Sequence, residues 1–217
     1  VRGMSHVPSP GEDARTRLLH SGLRLFAQQG FSKTSTRELA EDAGVNIASI
    51  SYYFGDKAGL YRAVFLEPMG SPQDGIARFN GPELNLPQAL AGLYAAFLEP
   101  LKQGDTARLC MKLHFREMLE PTGLWQENIA QSIKPTHDAM LAVLCRHFGL
   151  SEPDEELQRL TVCICALGVH LHVGHDVIQQ VAPCLHEGPD ALDRWSDRLV
   201  MYAQAMIDAE GRRRNAS

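Results

Sequence analysis

"GVNIASISYYFGDKAGLY", Gly44–Tyr61, mixes rings and hydroxyls in a way that suits neither a core helix nor a solvent face. Tyr52, Tyr53 and Phe54 stand in a row before Gly55, and Asn46, Ser49 and Ser51 precede them. Gly44 suits the left-handed backbone that ends a helix. Asn46 is a good N-cap for a short helix over Ile47–Tyr53, which Gly55 closes. Val45 and Ile50 are placed to lock that helix to its neighbours. Asn46, Ile47, Ala48, Ser49, Ser51 and Tyr52 are left on its outer side. A narrow helix, polar on one face, is what the DNA major groove admits. Ala48 permits close approach, and Ile47 offers a hydrocarbon to a thymine methyl.

Working outward, "STRE", Ser35–Glu38, has the pattern of a capping box and opens a helix over Thr36–Ala43. Two short helices joined by a tight glycine turn make a helix-turn-helix. Thr36 and Arg37 begin the first of the two, where free amides favour phosphate. Asp56 caps a further helix, Lys57–Leu66, with Leu60, Ala63 and Val64 inward. Tyr53 and Lys57 flank the exit, where the DNA backbone would lie, and a tyrosine supplies both a ring to pack and a hydroxyl for phosphate. Phe54 reads as core. Upstream, Leu18, Leu19, Leu23, Phe26 and Ala27 recur at helical spacing over Glu12–Gln29, with Gly30 as the stop.

The stretch Ala14–Phe65 resembles the DNA-binding domain of TetR-type transcriptional regulators. The match rests on Phe26, Gly30, Phe31 and the run Thr34–Ala40, on the "AGV" turn, and on the "YYFGDK" exit with Leu60. The resemblance implies a two-domain, all-helical homodimer. Its reader would bind a short palindromic operator, usually in repression, and a small molecule in the larger C-terminal domain would release it. Carried onto this chain, the DNA-binding positions are Thr36, Arg37, Asn46, Ile47, Ser49, Tyr52, Tyr53 and Lys57. The chain departs at Ile47, where many relatives carry a basic residue. The same stretch together with "FREMLEPTG" resembles the CecR-like subgroup, which implies control of transport or efflux genes.

The rest of the chain reads as helix almost throughout, so the fold class is all-α: a helix-turn-helix domain over 12–66 and a larger ligand-binding and dimerisation domain over 67–210. Residues 1–11 and 211–217 read as disordered ends. Pro68–Pro87 holds four prolines and three glycines and reads as an irregular connection with room for one helical turn. Helices follow over Pro87–Leu101 and Asp105–Leu119. Another spans Gly123–Ser132, is interrupted at Pro135 and resumes to Phe148. The last two cover Pro153–Val181 and Pro189–Ala209. "GRRRNAS" is expected to be a solvated tail.

Charge separates the two parts. The whole chain carries −5, yet over Glu12–Leu66 seven Lys and Arg face six Asp and Glu. A near-neutral front on an acidic body fits a short-range anion-binding face and argues against non-specific wrapping of nucleic acid. The five cysteines are odd in number and lack a CxxC, which fits reduced thiols in a cytoplasmic protein. No apolar run is long enough to span a membrane. "VRGMSHVPSPGEDA" lacks a signal-peptide core, and Val1–Gly3 reads as an expression scar before Met4.

Candidates outside the reader are fewer. His114, Phe115, Arg116, Glu117 and Trp125 are placed either to line an effector pocket or to form a structural ion pair. His170, His172, His175, Trp195 and Leu199 are expected at a dimer interface. Cys163, His172, His175 and Asp176 give the alternative of a metal-sensing regulator or a metal-dependent enzyme, because helical spacing puts His172 on one face with His175 or Asp176. The simpler reading of that segment is histidine packing, and no metal or other cofactor is expected. HExxH, GxSxG and glycine-rich phosphate loops are all missing from the sequence. A third reading is an architectural DNA-binding protein without an effector.

Overall fold

The computed structural model describes residues 13–67, 71–188 and 190–216, and among them every regular element is helical. The expected disordered segment 1–11 lies outside the described residues. By its contacts the chain divides into two compact units, Val1–Gly70 with Arg108–Asn128, and Ser71–Ala107 with Ile129–Ser217. Segment 108–128, assigned from sequence to the second domain, therefore packs with the first.

The first unit is built from α1 (Ala14–Gln29), α2 (Thr36–Ala43), α3 (Ala48–Phe54), α4 (Lys57–Leu66), the greater part of α7 (Asp105–Leu119) and α8 (Leu124–Asn128). Asp13 caps α1 by accepting from the Thr16 amide at 2.7 Å, and Asp56 caps α4 by accepting from the Gly59 amide at 2.8 Å. Leu18, Phe26, Leu39, Ile50, Leu60, Val64, Phe65 and Leu113 are buried together. Leu113 comes from α7 and seals the core from a side that the helix-turn-helix alone leaves open. Phe26 and Tyr61 meet edge to face at 4.9 Å between centroids.

In the second unit α6 (Leu86–Leu98) runs through the middle, against α5 (Pro72–Ala77), α9 (Lys134–Phe148), α10 (Glu155–Val173) and α12 (Ala191–Asn215). Ala89, Leu90, Leu93, Tyr94 and Leu98 are its buried positions. A capping box of Asn85 and Gln88 starts it. α5 occupies the proline- and glycine-rich connection, and Phe79 just beyond it is fully buried.

Two expectations are corrected here. The run expected as one helix to Val181 breaks at Gly174 into α10 and α11 (His175–Val181), bent by 75°. The Gly174 amide closes α10 on the His170 carbonyl at 2.7 Å, and a Cβ on Gly174 would lie 2.8 Å from the His170 ring. Apolar spacing continues across the break because it reports which face is buried, not the direction of the axis. No single helix among the described residues is long and apolar enough to cross a membrane.

The second correction is at the C-terminus. α12 continues to Asn215 in place of a tail from 211. Arg214 explains it. Its guanidinium makes a two-pronged pair with Asp154 at 2.7 and 2.8 Å and lies over the Phe148 ring. Asp154 also caps α10 by accepting from the Leu157 amide at 2.8 Å. The Arg214 bonds, then the Leu157 amide, hold the Asp154 carboxyl well below the usual carboxylate range. A depressed folded value means the contribution is complete above the ordinary aspartate value of about 3.9 and is lost as pH falls toward the folded one. Arg214→Ala is expected to fray the last turn of α12 at pH 7, read as faster amide exchange over 211–215. The same fraying should appear in the wild type only in strong acid.

Candidate nucleic-acid interface

The helix-turn-helix is fixed by backbone bonds before any side chain is considered. Gly44 sits at φ 61° and ψ 40°, the left-handed region, and its amide reaches the Glu41 carbonyl at 3.2 Å. The Val45 amide reaches the Ala40 carbonyl at 3.0 Å, so the end of α2 is closed twice and the chain leaves at a set angle. Ser35 caps α2 through the Glu38 amide at 3.1 Å. The capping box is only half made, because the Glu38 carboxylate accepts from Gln29 at 2.6 Å in place of the Ser35 amide.

α3 begins with Asn46 Oδ1 accepting from the Ala48 amide at 2.9 Å. Only Ile50 of this helix is buried, at 2% exposure. Everything opposite it faces outward: Asn46, Ala48 and Ser51 are exposed, Ile47 is 50% and Tyr52 81% exposed, and Ser49 is half-buried. Tyr53 is exposed as well, with its ring edge-on to Tyr52 at 4.8 Å. A ring four-fifths exposed at the end of a helix held by one core side chain leans on the Tyr53 ring but not on the core, and it suits contact with another molecule. Phe54 turns back against the core beneath the Arg15 guanidinium.

At the start of α2, Thr36 is half-buried and Arg37 is exposed. Arg37 Nε donates to Glu41 at 2.7 Å, with both side chains largely in solvent. Solvent screens such a pair, so it holds Arg37 only weakly. Lys57 differs from expectation. Its ammonium donates to the carbonyls of Phe31 at 2.9 Å and Thr34 at 3.0 Å and sits 4.3 Å from the Phe31 centroid. The lysine therefore pins the α1–α2 connection. Two of its three N–H groups are spent in this way, and one is left for the expected phosphate contact.

The α7–α8 candidates fall in the first unit, with mixed fates. Glu117 is fully buried, and its carboxylate accepts from the Tyr61 hydroxyl at 2.9 Å, the Thr122 amide at 2.7 Å, the Thr122 hydroxyl and the Leu124 amide at 3.1 Å. The carboxylate is engaged by donors inside the protein, so of the two expected roles the structural one fits, through hydroxyl and amide donors in place of an ion pair. Burial, and then the bond to Glu117, hold the Tyr61 hydroxyl above the usual phenol range. His114 is buried, bonded through Nδ1 to the Cys110 carbonyl at 2.7 Å and stacked on Phe65 at 4.2 Å, with Trp125 edge-on. Arg116 donates to the Gln28 carbonyl at 3.1 Å. Phe115 is exposed. A cleft of about 340 Å³ lies beside these groups, lined by Phe31, Tyr61, Arg116, Glu120 and Thr122.

In the second unit, His170 is exposed, while His172 is partly buried and donates Nε2–H to the Phe97 carbonyl at 2.6 Å. Burial lowers the His172 value below that of an ordinary histidine. His175 meets His186 edge to face at 4.6 Å. Trp195 packs on the core with its indole N–H unpaired. Leu199 is a core residue at 3% exposure, which corrects its expected place at a dimer surface. Cys163, His172, His175 and Asp176 do not converge: among the described residues no three His, Cys, Asp or Glu lie as a metal site would need.

Sequence reasoning missed the Glu117 hub and the pairing of Arg62 on α4 with Glu127 on α8. "EPTGL" after Glu117 carries a turn signal, but nothing local names Tyr61 as the partner.

Comparison with known proteins agrees with this geometry. Residues 18–64 match the family described as bacterial regulatory proteins, tetR family. Residues 86–210 match the C-terminal domain of the HTH-type transcriptional dual regulator CecR. CecR of Shigella flexneri is 30% identical over 201 residues, 88% of this chain and 87% of that one. The HTH-type transcriptional repressor ComR of Escherichia coli strain K12 is 27% identical over 126 residues, 57% of this chain and 58% of that one. Among solved structures, a regulatory protein of the tetR family from Rhodococcus RHA1 superposes with a TM-score of 0.65 at 19% identity, covering 90% of this chain and 97% of the other, a likeness of fold. An all-helical chain with this exposed reading helix, matched over most of its length, belongs to the TetR family of bacterial transcriptional regulators, with a C-terminal domain of the CecR kind.

Proposed function

We propose that the protein is a ligand-responsive repressor that binds a palindromic operator as a homodimer and is released by a small molecule. The observation that carries this is α3, anchored by Ile50 alone and presenting Asn46, Ile47, Ser49 and Tyr52 outward. Base readout falls to those side chains, and backbone contacts to Tyr53, Arg37 and the amide end of α2 at Thr36. Dimerisation is supported by apolar side chains left exposed on the second unit: Val162, Val169 and Val173 of α10, Val177 and Val181 of α11, and Met201 and Tyr202 of α12. His170 and His175 stand on the same segment. The name of one relative, a repressor, supports repression, and that of another, a dual regulator, allows it. Resemblance to the CecR subgroup points to transport or efflux genes as targets.

Two reading helices about 34 Å apart would meet successive major grooves, and an effector that favours another spacing weakens DNA binding by its differential affinity for the two states. A gel shift with the DNA upstream of the protein's own gene tests the reading. Sequence-specific binding should weaken about 10³-fold or more between 50 and 200 mM salt, as for six or more phosphate contacts. Tyr52→Ala should lower affinity roughly ten- to a hundredfold with the fold intact. Failure to bind specifically at low salt would sink the proposal.

A further inference from the structure

In the major groove a side chain selects a base by matching its edge: Arg or Lys suits guanine, Asn or Gln adenine, Asp or Glu the cytosine amine, and hydrocarbon the 5-methyl group of thymine. From Ile47 to Phe54 the chain holds none of those six polar types. Asn46 stands just before, and its Oδ1 is turned back to cap α3, accepting from the Ala48 amide at 2.9 Å. The two-pronged contact with adenine needs that oxygen and the amide nitrogen side by side on the base. Ser49, Ser51 and Tyr52 offer single hydroxyls, which donate or accept and so separate the bases poorly. Hydrocarbon is what the first turn of α3 has to present. Ile47 is 50% exposed and lies outside the side chains packed on the first unit's core, and Ala48 beside it is exposed too. Both share a face with Ser51 and Tyr52, three or four positions on. In a helix-turn-helix the N-terminal residues of the second helix are the ones that meet base edges.

We infer, on the operator-binding reading above, that Ile47, with Ala48 at its side, selects a 5-methylpyrimidine beneath the first turn of α3. Each operator half-site is then recognised there by a methyl group and not by a hydrogen-bonded guanine. The methyl belongs to thymine or to 5-methylcytosine, which present the same group to the major groove. Closing the isoleucine side chain on it removes hydrocarbon of both partners from water. A lysine or arginine at this position would reach for phosphate or guanine instead. Ile47 is thus a specificity-determining residue, and its contribution depends on one methyl group of the DNA.

Gel shifts with deoxyuridine in place of one symmetric pair of thymines at a time test this, because uracil keeps every hydrogen-bonding group of thymine and lacks the methyl. The DNA is the specifically bound segment upstream of the protein's own gene. At one pair the wild type should lose about fourfold in affinity for each methyl, roughly fifteenfold for two half-sites. Ile47→Lys should still bind, because the added charge attracts phosphate, and should hold the thymine and uracil fragments alike. If no thymine matters, cytosines are replaced in turn by 5-methylcytosine; a gain of the same size, absent in Ile47→Lys, assigns the methyl to that base and supports the inference. No loss beyond about twofold with uracil at any thymine, and no gain with methylated cytosine, overturns it and leaves the repressor reading intact. An equal loss in the wild type and in Ile47→Lys also overturns it, since the methyl then acts through the stiffness of the DNA. A lower melting temperature with the thymine preference retained makes Ile47 structural and rejects it too. A wild type that binds no fragment specifically overturns both readings. Should Ile47→Lys fail to fold or to bind, Ile47→Ala takes its place, and an undiminished thymine preference there rejects the inference.

Discussion

Gly59→Ala is expected to destabilise the first unit by about 3 kcal/mol or more and to abolish operator binding. Gly59 lies in the first turn of α4, where alanine would ordinarily be the better helix former by up to about 1 kcal/mol. Space reverses the sign. A Cβ there would overlap the carbonyl oxygen of Phe54 and lie 3.0 Å from its carbonyl carbon. Those atoms are backbone at the end of α3, so relief requires α3 and α4 to separate. Thermal unfolding followed with a gel shift checks this. Gly92→Ala is the control: its Cβ would lie 2.7 Å from the Arg78 carbonyl carbon, in the second unit. It should destabilise that unit while leaving the reader's own packing intact, so amide exchange over α1–α4 separates the two variants.

Ile50→Ala should cost about 2–4 kcal/mol and remove DNA binding under conditions where the second unit stays folded. Most helices here share their anchoring among several side chains, but α3 buries only Ile50. Truncating it leaves a void between α3 and the Leu18, Leu39 and Leu60 core, with no second buried residue on α3 to hold the helix in register. Tyr52→Ala, by contrast, removes an exposed ring and should leave the unfolding free energy within about 0.5 kcal/mol of the wild type. The pair separates loss of the reading helix from loss of a reading side chain: both reduce binding, and only one changes stability.

Legibility in the sequence tracked how local each signal was. α2 begins and ends, and α4 begins, where serine, glycine and aspartate said they would, because a cap speaks to residues three or four positions away. Ile50 inward and Tyr52 outward were readable for the same reason. The bend at Gly174 was not, since the same apolar periodicity serves a straight helix and a broken one. The basic end of the chain looked like a solvated tail, yet Arg214 finds a partner 60 residues away and extends α12 to meet it.

By itself, then, the sequence determined an all-helical chain, a helix-turn-helix with its glycine turn, and which side chains of α3 face outward. All of these follow from helical spacing, capping and the steric freedom of glycine. Only the tertiary structure decided that α7 and α8 close the reader's core, that Lys57 holds the Phe31 and Thr34 carbonyls, that Leu199 is interior, and that Glu117 receives Tyr61 from 56 residues away. The reason is physical. A buried charge or carboxylate needs donors from whatever the fold brings near it, and which segment arrives is settled by packing the whole unit rather than by its neighbours in the chain.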